Sequence, residues 1–394
     1  MTATLDASPR RQSDIERAMR QRLRSMIVWL TGGIVIYGSV MVFSSSTVLS
    51  YKNHDNAYHY GIRHVAAVAI GLLLLLWLRR RDVTQWRRWA SVTLIASLGL
   101  QLFALVRGAA IGGQRNWIDV RVTTIQPSEF AKIGLVFALA MVLAVNQERG
   151  RSWKHIWIAS LVVTTLVVGM VAAGGDLGTP LVLAATAVGM VFLAGARLRP
   201  LLYTFILAAV AVVALISLKG YRMDRISAWF DPFHYKSEAG YQAVHGRFAL
   251  GGGGLLGEGL GSGREKWGGL PAAHTDFILA ATGEETGVIG ASIMIAALIA
   301  LVLAVLRVAS LQTDAFGKYV CGGIGVWFGT QALVNIAMVV GWAPVVGITL
   351  PFVSFGGSSM VATLAAVGIV LSYCGEPTSR RVRRLKRRRP QAEV

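Results

Sequence analysis

Apolar residues occur along this chain in long unbroken blocks, and polar residues are gathered between them. A soluble helix would instead show apolar positions every three or four residues, and a half-buried strand at every second one. A bilayer core about 30 Å thick needs about 20 apolar residues per helix. The pattern therefore predicts an all-α membrane protein with about ten transmembrane helices. The predicted spans are 26–45, 62–78, 90–106, 129–145, 156–174, 178–195, 201–217, 277–306, 319–341 and 354–374.

Charge gives these spans an orientation. Only 15% of the residues are charged, and most of the 39 lysines and arginines fall in the tails and in alternate loops. Because cytoplasmic loops collect positive charge, both termini are predicted to be cytoplasmic. The chain then divides into an N-terminal tail (1–25), a membrane domain (26–374) and a basic C-terminal tail (375–394). That tail suits anionic lipid head groups better than nucleic acid.

The longest outer segment is 218–276, between the seventh and eighth spans. A loop of this length is usually functional or disordered. Its many aromatic residues favour short amphipathic helices lying on the outer leaflet. The two cysteines, Cys321 and Cys374, lie inside predicted spans and are expected to be packing residues without a disulfide or zinc.

The strongest local signal is HTDFILAATGEETGVIG, from His274 to Gly290, in which a carboxylate precedes an apolar helix. Ionisable groups at membrane depth are functional candidates by default, and Asp276 is placed to act as a general base. By residue type alone, an N-cap for the helix is the favoured role. Glu284 and Glu285 follow inside the span, where a structural bond to backbone groups is at least as plausible as catalysis.

A second polar group is IGGQRNWIDVRVTTIQPSEFAK, from Ile111 to Lys132. Glu129 and Lys132 are three positions apart, so they share a helix face and can pair. That pair could merely stabilise a helix start. Alternatively, Lys132 and Arg115 could hold a diphosphate at the outer membrane surface.

The third group is QALVNIAMVVGWAPVVGITLPFVSFGGSS, from Gln331 to Ser359. Gln331 and Asn335 are one helical turn apart and form a polar stripe within an apolar span. Prolines and glycines then interrupt the helix, and broken backbone at membrane depth is tolerated where it lines a cavity. The interruption and its small-residue continuation include Pro351, Ser354, Gly356, Gly357 and Ser358.

Together these groups resemble the SEDS family (shape, elongation, division and sporulation proteins) from about Ser44 to Ser372. The matching parts are RNWID…QPSEFAK, DLGT, GYQ…GGGGLLGEGLGSGREKW…HTDFILAATGEETG and Q…N…G…P..G..LPFVSFGGSS. Three serines after the first span (Ser44–Ser46), the basic N-terminus and the ending LPFVSFGGSSM resemble the FtsW branch more than the RodA branch.

The resemblance implies a peptidoglycan glycosyltransferase that polymerises lipid II in the bacterial inner membrane, with a septal role in cell division. It implies a class B penicillin-binding protein and other division proteins as partners. A divalent cation, Mg²⁺ or Mn²⁺, is the expected cofactor, and no organic cofactor is expected. Nucleic acid is not an expected partner. The same resemblance leaves open a lipid II flippase, an elongation polymerase and a division scaffold.

Residue by residue, Asp276 matches the family's essential aspartate, which favours a catalytic role, with metal contact as a further expectation. Arg115, Glu129 and Lys132 match residues that line the family's central cavity. Lys266 is a third candidate cation for the diphosphate. The residues that match the family's terminal signature are expected to be structural: Ser354, Gly356, Gly357 and Ser358.

Three positions depart from the family pattern. Ala272 stands where the family commonly has glutamate in LPEAHTDF. His245-Gly246 replaces a usual Gln-Ser, and Gly174-Gly175 replaces Gln-Pro before DLGT. The missing glutamate weakens any mechanism that needs a second carboxylate beside Asp276.

Overall fold

The computed structural model describes residues 9–111, 114–120, 124–176, 178–196, 220–235 and 240–375. Eleven α-helices, one short 3-10 helix and three short strands lie in these residues. The helices are α1 (Pro9–His54), α2 (His59–Leu78), α3 (Val83–Arg107), α4 (Pro127–Glu148), α5 (Trp153–Ala173), α6 (Gly178–Leu193), α7 (Gly220–Phe230), α8 (Tyr241–Gly252), α9 (Ile278–Ser310), α10 (Ala315–Val339) and α11 (Gly357–Tyr373).

Nine of the ten predicted spans correspond to helices, and the tenth, 201–217, lies outside the described residues. Helices α1 to α5, α9 and α10 are long and apolar enough to cross a membrane, whereas α6 and α11 are shorter apolar helices. The prediction of a multi-pass all-α membrane protein is thereby confirmed. Helix α1 has 46 residues, a length of about 69 Å at 1.5 Å per residue. It therefore extends well beyond the predicted span 26–45.

Helices α4, α10 and α11 form the centre of the bundle. In the most apolar window of α4, 72% of the residues are buried, against 22% in those of α3 and α5. Helix α11 lies directly against α2, because Gly368 lets the backbones approach: a Cβ there would lie 2.8 Å from the Leu75 Cα. Small residues permit such close packing where lipid supplies no hydrophobic drive between helices. Cys321 and Cys374 are free thiols, and their burial fits the packing role that the sequence predicted.

The outer segment 107–128 contains a small antiparallel sheet that the sequence pattern did not predict. Strands β1 (Ala109–Ile111), β2 (Gln114–Asp119) and β3 (Thr124–Ile125) pair in that order. Strand β2 places Ile118 opposite Ile125 of β3. Strands β1 and β3, of three and two residues, are too short to show a period-2 pattern, and the six residues of β2, QRNWID, do not alternate between apolar and polar.

The long outer segment 218–276 contains the short helices that its aromatics predicted, α7 and α8, and the 3-10 helix Glu265–Trp267. Helix α8 packs against the start of α9, where a Cβ on Gly246 would lie 2.4 Å from the Phe277 ring. Helix α7 contacts the connector that follows α10, because the Trp229 indole donates to the Gly341 carbonyl at 3.0 Å. This segment therefore folds back onto the outer end of the bundle.

Candidate active site

The carboxylate of Asp276 lies just before α9 and is 8% exposed. It accepts hydrogen bonds from the Thr275 hydroxyl (3.0 Å) and from the Gln242 amide (3.4 Å). The N-cap role that residue type favoured is wrong, since Phe277 is the N-cap of α9 and no side chain bonds the helix start. Burial raises the pKa of Asp276, and the two hydrogen bonds and the charge of Arg225 oppose that rise. A carboxyl so placed binds a proton more readily than a solvated aspartate.

The polar stripe of α10 holds the broken backbone beside Asp276. The Asn335 amide donates to the Asp276 carbonyl (2.7 Å) and to the Ile348 carbonyl (2.6 Å), and the Gln331 amide donates to the Thr349 carbonyl (3.0 Å). Both amide side chains are fully buried. Buried backbone carbonyls need such partners. The predicted stripe therefore fixes the connector between α10 and α11 to the residue that carries the candidate base.

That connector passes close to the carboxylate. A Cβ on Gly347 would lie 4.0 Å from Asp276 Oδ2, and the φ of Gly347 is +72°. Glycine adopts this left-handed backbone without the steric cost that other residues meet. Gly347 therefore lets the connector turn within van der Waals distance of Asp276.

The predicted pair of Glu129 and Lys132 is confirmed, with 2.8 Å between Lys132 Nζ and Glu129 Oε2. Both side chains are buried, in the first turns of α4. Lys132 also donates to Gln331 Oε1 at 2.9 Å, and the Trp327 indole donates to the same oxygen at 2.7 Å. The charge of Lys132 is thus neutralised by a neighbouring carboxylate and linked through Gln331 to the connector.

The terminal signature bonds backbone groups at both ends of the connector. The Ser354 hydroxyl accepts from the Leu350 N–H (2.7 Å), inside the turn that begins at Pro351. The Ser358 hydroxyl accepts from the Gln126 N–H (2.9 Å), just before α4. Gly356 is the N-cap of α11, and Gly357 is its first residue. These contacts fit the structural role that the resemblance implies.

Lys266 lies in a different cluster. Its Nζ is 3.0 Å from Glu285 Oε1, and the side chains of Lys266 and Glu285 are only 6% and 1% exposed. The Ser44 hydroxyl of α1 also donates to Glu285, and the Gly261 N–H donates to it at 3.1 Å. Glu284 accepts from the backbone N–H of Arg264 at 2.7 Å. These carboxylates fasten the outer segment to α1 and α9, as the structural alternative predicted, and the charge of Lys266 is neutralised there.

The same cluster surrounds a break in α9. Gly287 has φ 67° and ψ −174°, so the helix is interrupted there. The N–H groups of Glu258 and Gly259 donate to the freed carbonyls of Glu284 and Glu285, at 2.9 and 3.1 Å. Backbone that leaves the helix inside a membrane protein must be satisfied by protein in this way. The hydropathy pattern predicted one continuous span and gave no sign of the break.

Arg115 lies on β2, and its backbone N–H donates to the Gly174 carbonyl at 2.9 Å. Its guanidinium is exposed. Nearby, Asp176 Oδ1 accepts from the N–H groups of Gly178 (2.9 Å) and Thr179 (3.2 Å), so Asp176 caps α6. Arg115 is therefore an available cation at the outer surface.

Two further residues of the site were not among the predicted site residues. Gln242 contacts Asp276 directly and also donates to the Pro271 carbonyl at 3.3 Å; its only sequence signal is the GYQ motif. Arg225 of α7 donates to the Val345 carbonyl at 3.2 Å, is exposed, and is close enough to lower the pKa of Asp276. Nothing in the local sequence marks Arg225, because the fold of a long segment brings it there.

The described residues offer few side-chain ligands for the expected divalent cation. Within the described ranges, no group of three or more His, Cys, Asp or Glu side chains is placed to hold a metal ion. Asp276 offers one carboxylate there. Mg²⁺ usually binds through one or two carboxylates together with waters and substrate phosphates. A divalent ion here would therefore rely on phosphate oxygens of the substrate, and that site stays a prediction.

The sequence matches a family model described as cell cycle protein, the FtsW, RodA and SpoVE family, over residues 24–376. It is 39% identical to a probable peptidoglycan glycosyltransferase FtsW of Trichlorobacter lovleyi, over 88% of this chain and 91% of that protein. It is 32% identical to the stage V sporulation protein E of Bacillus subtilis, over 88% and 95%.

Solved structures show the same architecture. A chain from a study of how a peptidoglycan synthase complex coordinates polymerization and crosslinking matches with a TM-score of 0.73 and 28% identity, covering 88% of this chain and 96% of that one. The rod shape determining protein RodA of Thermus thermophilus matches with a TM-score of 0.66 and 28% identity, over 88% and 95%.

Proposed function

The chain belongs to the cell cycle protein family of FtsW, RodA and SpoVE, and on that basis we propose that it is a peptidoglycan glycosyltransferase that polymerises lipid II. The observation that carries the proposal is Asp276: a buried carboxyl at the outer end of the bundle, held beside a connector that two buried amides fix in place. Its position at the outer surface suits a substrate whose sugars have already crossed the membrane.

In the proposed reaction, Asp276 accepts the proton of the GlcNAc 4-hydroxyl of the acceptor. The hydroxyl oxygen attacks C1 of the donor MurNAc and forms the new glycosidic bond with inversion. The bond between C1 and the phosphate oxygen breaks, and its electron pair leaves with undecaprenyl diphosphate. The pKa that burial raises makes Asp276 a stronger base than a solvated aspartate, which favours proton transfer.

Negative charge develops on the leaving diphosphate, so cations placed there stabilise the transition state more than the ground state. Lys132 and Lys266 are already paired with buried glutamates. The exposed Arg225 and Arg115 are better placed to supply that charge, and Arg225 is the one whose field reaches Asp276. A divalent cation, if bound with the substrate, would neutralise further charge on the diphosphate.

The partner and the cellular role rest on the relatives. Two of them are named FtsW and stage V sporulation protein E, and one structural match comes from a complex that couples polymerization to crosslinking. We therefore include in the proposal a class B penicillin-binding protein as crosslinking partner and a septal role in cell division. A lipid II flippase is the chief alternative, but the paired charges of α4 lie at its outer end and do not run through the membrane.

The test uses the purified full chain, alone and with its co-expressed penicillin-binding partner, in liposomes that carry fluorescent lipid II. Glycan strands and lipid II translocation are measured in the same preparation, with and without a divalent-metal chelator. Strands formed from lipid II on the accessible leaflet support the proposal, and their loss with chelator supports the cation. Translocation of lipid II without glycan strands would contradict the proposal and support the flippase.

A further inference from the structure

A cleft of about 230 Å³ opens at the end of the bundle that is predicted to be cytoplasmic. It lies between the last turns of α4, the start of α5, the end of α6 and the first turns of α10. Its apolar wall is made by Leu143, Ile156 and Ala194. Because α4, α5 and α10 are candidate membrane spans, the cleft lies where lipid head groups meet acyl chains.

An aromatic side chain stands at its edge. Trp153, the first residue of α5, is 39% exposed, and a Cβ on Gly195 would lie 3.9 Å from its ring. Tryptophan is enriched at the membrane–water interface because its ring is apolar and its N–H is polar. The Trp153 ring therefore marks the depth of the cleft as interfacial.

The polar side of the cleft presents hydrogen-bond donors. The Tyr319 hydroxyl donates to Gln147 Oε1 at 2.6 Å, so this bond uses the carbonyl oxygen of the Gln147 side chain and not its amide N–H groups. Gln147 itself lines the cleft. The Arg151 guanidinium is exposed and makes one long contact, 3.4 Å, with Asn146 Oδ1. A guanidinium and an amide beside an apolar wall suit a phosphate attached to acyl chains.

The charge around the cleft points the same way. Arg149 precedes Arg151 on the same short loop, and Lys154 follows in the first turn of α5. The adjoining Glu148 forms an ion pair with Arg87 at 2.7 Å, so it does not neutralise the positive charge of that loop. Basic pockets between transmembrane helices on the cytoplasmic side bind anionic lipid head groups.

We propose that this cleft binds the head group of an anionic phospholipid from the cytoplasmic leaflet, with Arg151 and Gln147 as the phosphate donors. This inference does not depend on the proposed catalytic function. It has a consequence for the outer site, because α4 and α10 carry Glu129, Lys132 and Gln331 toward their opposite ends. A lipid that holds the inner ends of both helices stabilises the bundle that positions the outer site.

The experiment uses the full chain in phosphatidylcholine nanodiscs to which cardiolipin or phosphatidylglycerol is added. Native mass spectrometry counts the bound lipids, and thermal unfolding gives the unfolding temperature. Arg151→Ala is compared with Arg149→Ala, which removes the same charge from the same loop outside the cleft lining. Wild type should bind anionic lipid in preference to phosphatidylcholine and unfold at a higher temperature with it.

Arg151→Ala should weaken that binding about tenfold, the effect of losing one charge-assisted hydrogen bond, and Arg149→Ala should weaken it far less. Gln147→Glu, which keeps an acceptor for the Tyr319 hydroxyl but loses the amide donors, should also weaken it. Arg151→Ala should unfold as wild type does when anionic lipid is left out. Equal weakening by Arg149→Ala and Arg151→Ala would overturn the proposal in favour of diffuse attraction. Inorganic phosphate that protects as well as the lipid would overturn the lipid assignment.

Discussion

Replacing Lys266 with methionine would leave the Glu285 carboxylate buried without its ion-pair partner. The pair is 3.0 Å apart and its side chains are 6% and 1% exposed, so the isolated charge could not be rehydrated without opening the segment. Breaking a buried pair from one side costs about 3–5 kcal/mol. The double variant Lys266→Met/Glu285→Gln removes both charges and keeps an acceptor for Ser44. It should therefore regain most of the lost stability.

The control is Arg264→Met in the same segment. Arg264 pairs with Glu258 at 3.2 Å, but its side chain is 85% exposed, and pairs of this kind contribute about 0–1 kcal/mol. Thermal unfolding in detergent gives the stabilities, and lipid II polymerisation gives the activities. If Lys266 fastens the outer segment, stability and activity fall together in Lys266→Met and return together in the double variant. A double variant as stable as wild type but still inactive would refute this reasoning and would support a role for Lys266 in binding the diphosphate.

Three further outcomes follow from the same geometry. Gly287→Ala should lower the unfolding temperature strongly, because its Cβ would lie 2.3 Å from the Leu255 carbonyl oxygen and the backbone there has a φ of +67°. The control is Gly169→Ala in α5, where a Cβ meets nothing within 4 Å, and its unfolding temperature should stay close to that of wild type. Arg225→Gln should slow polymerisation about tenfold or more with little change in unfolding temperature, and Arg225→Lys should restore part of the rate. Since burial raises the pKa of Asp276 in the folded state, the stability linked to its proton is present at low pH and lost as pH rises through that pKa. Asp276→Asn should therefore unfold at a higher temperature than wild type at neutral pH, and the difference should shrink on acidification.

The sequence predicted the parts of the site that are local in the chain. Glu129 and Lys132 pair because three positions separate them on one helix, and Gln331 and Asn335 share a face for a similar reason. Spacing predicts which face of a helix a side chain lies on, but it does not predict which residue the side chain contacts. That Asn335 holds the Asp276 carbonyl depends on how α10 packs against the start of α9.

The parts that sequence reasoning missed depend on contacts far apart in the chain. The partner of Lys266 is a glutamate inside a span that hydropathy treats as one continuous helix, and the break at Gly287 is stabilised by residues about 30 positions earlier. Arg225 reaches the site only because α7 folds onto the connector at Val345. Side-chain type indicates that a glutamate inside a span needs a partner, but neither side-chain type nor local periodicity identifies the residues that make these contacts.

In the proposed reaction, the role of Asp276 is to take the proton in glycosyl transfer. It is tested most directly by measuring lipid II binding and polymerisation side by side for wild type and Asp276→Asn, each co-purified with the penicillin-binding partner. The variant should bind lipid II about as well as wild type, while its polymerisation rate falls by about 10²-fold or more, as expected when a general base is lost. Glycan strands made by Asp276→Asn at the wild-type rate would contradict this role.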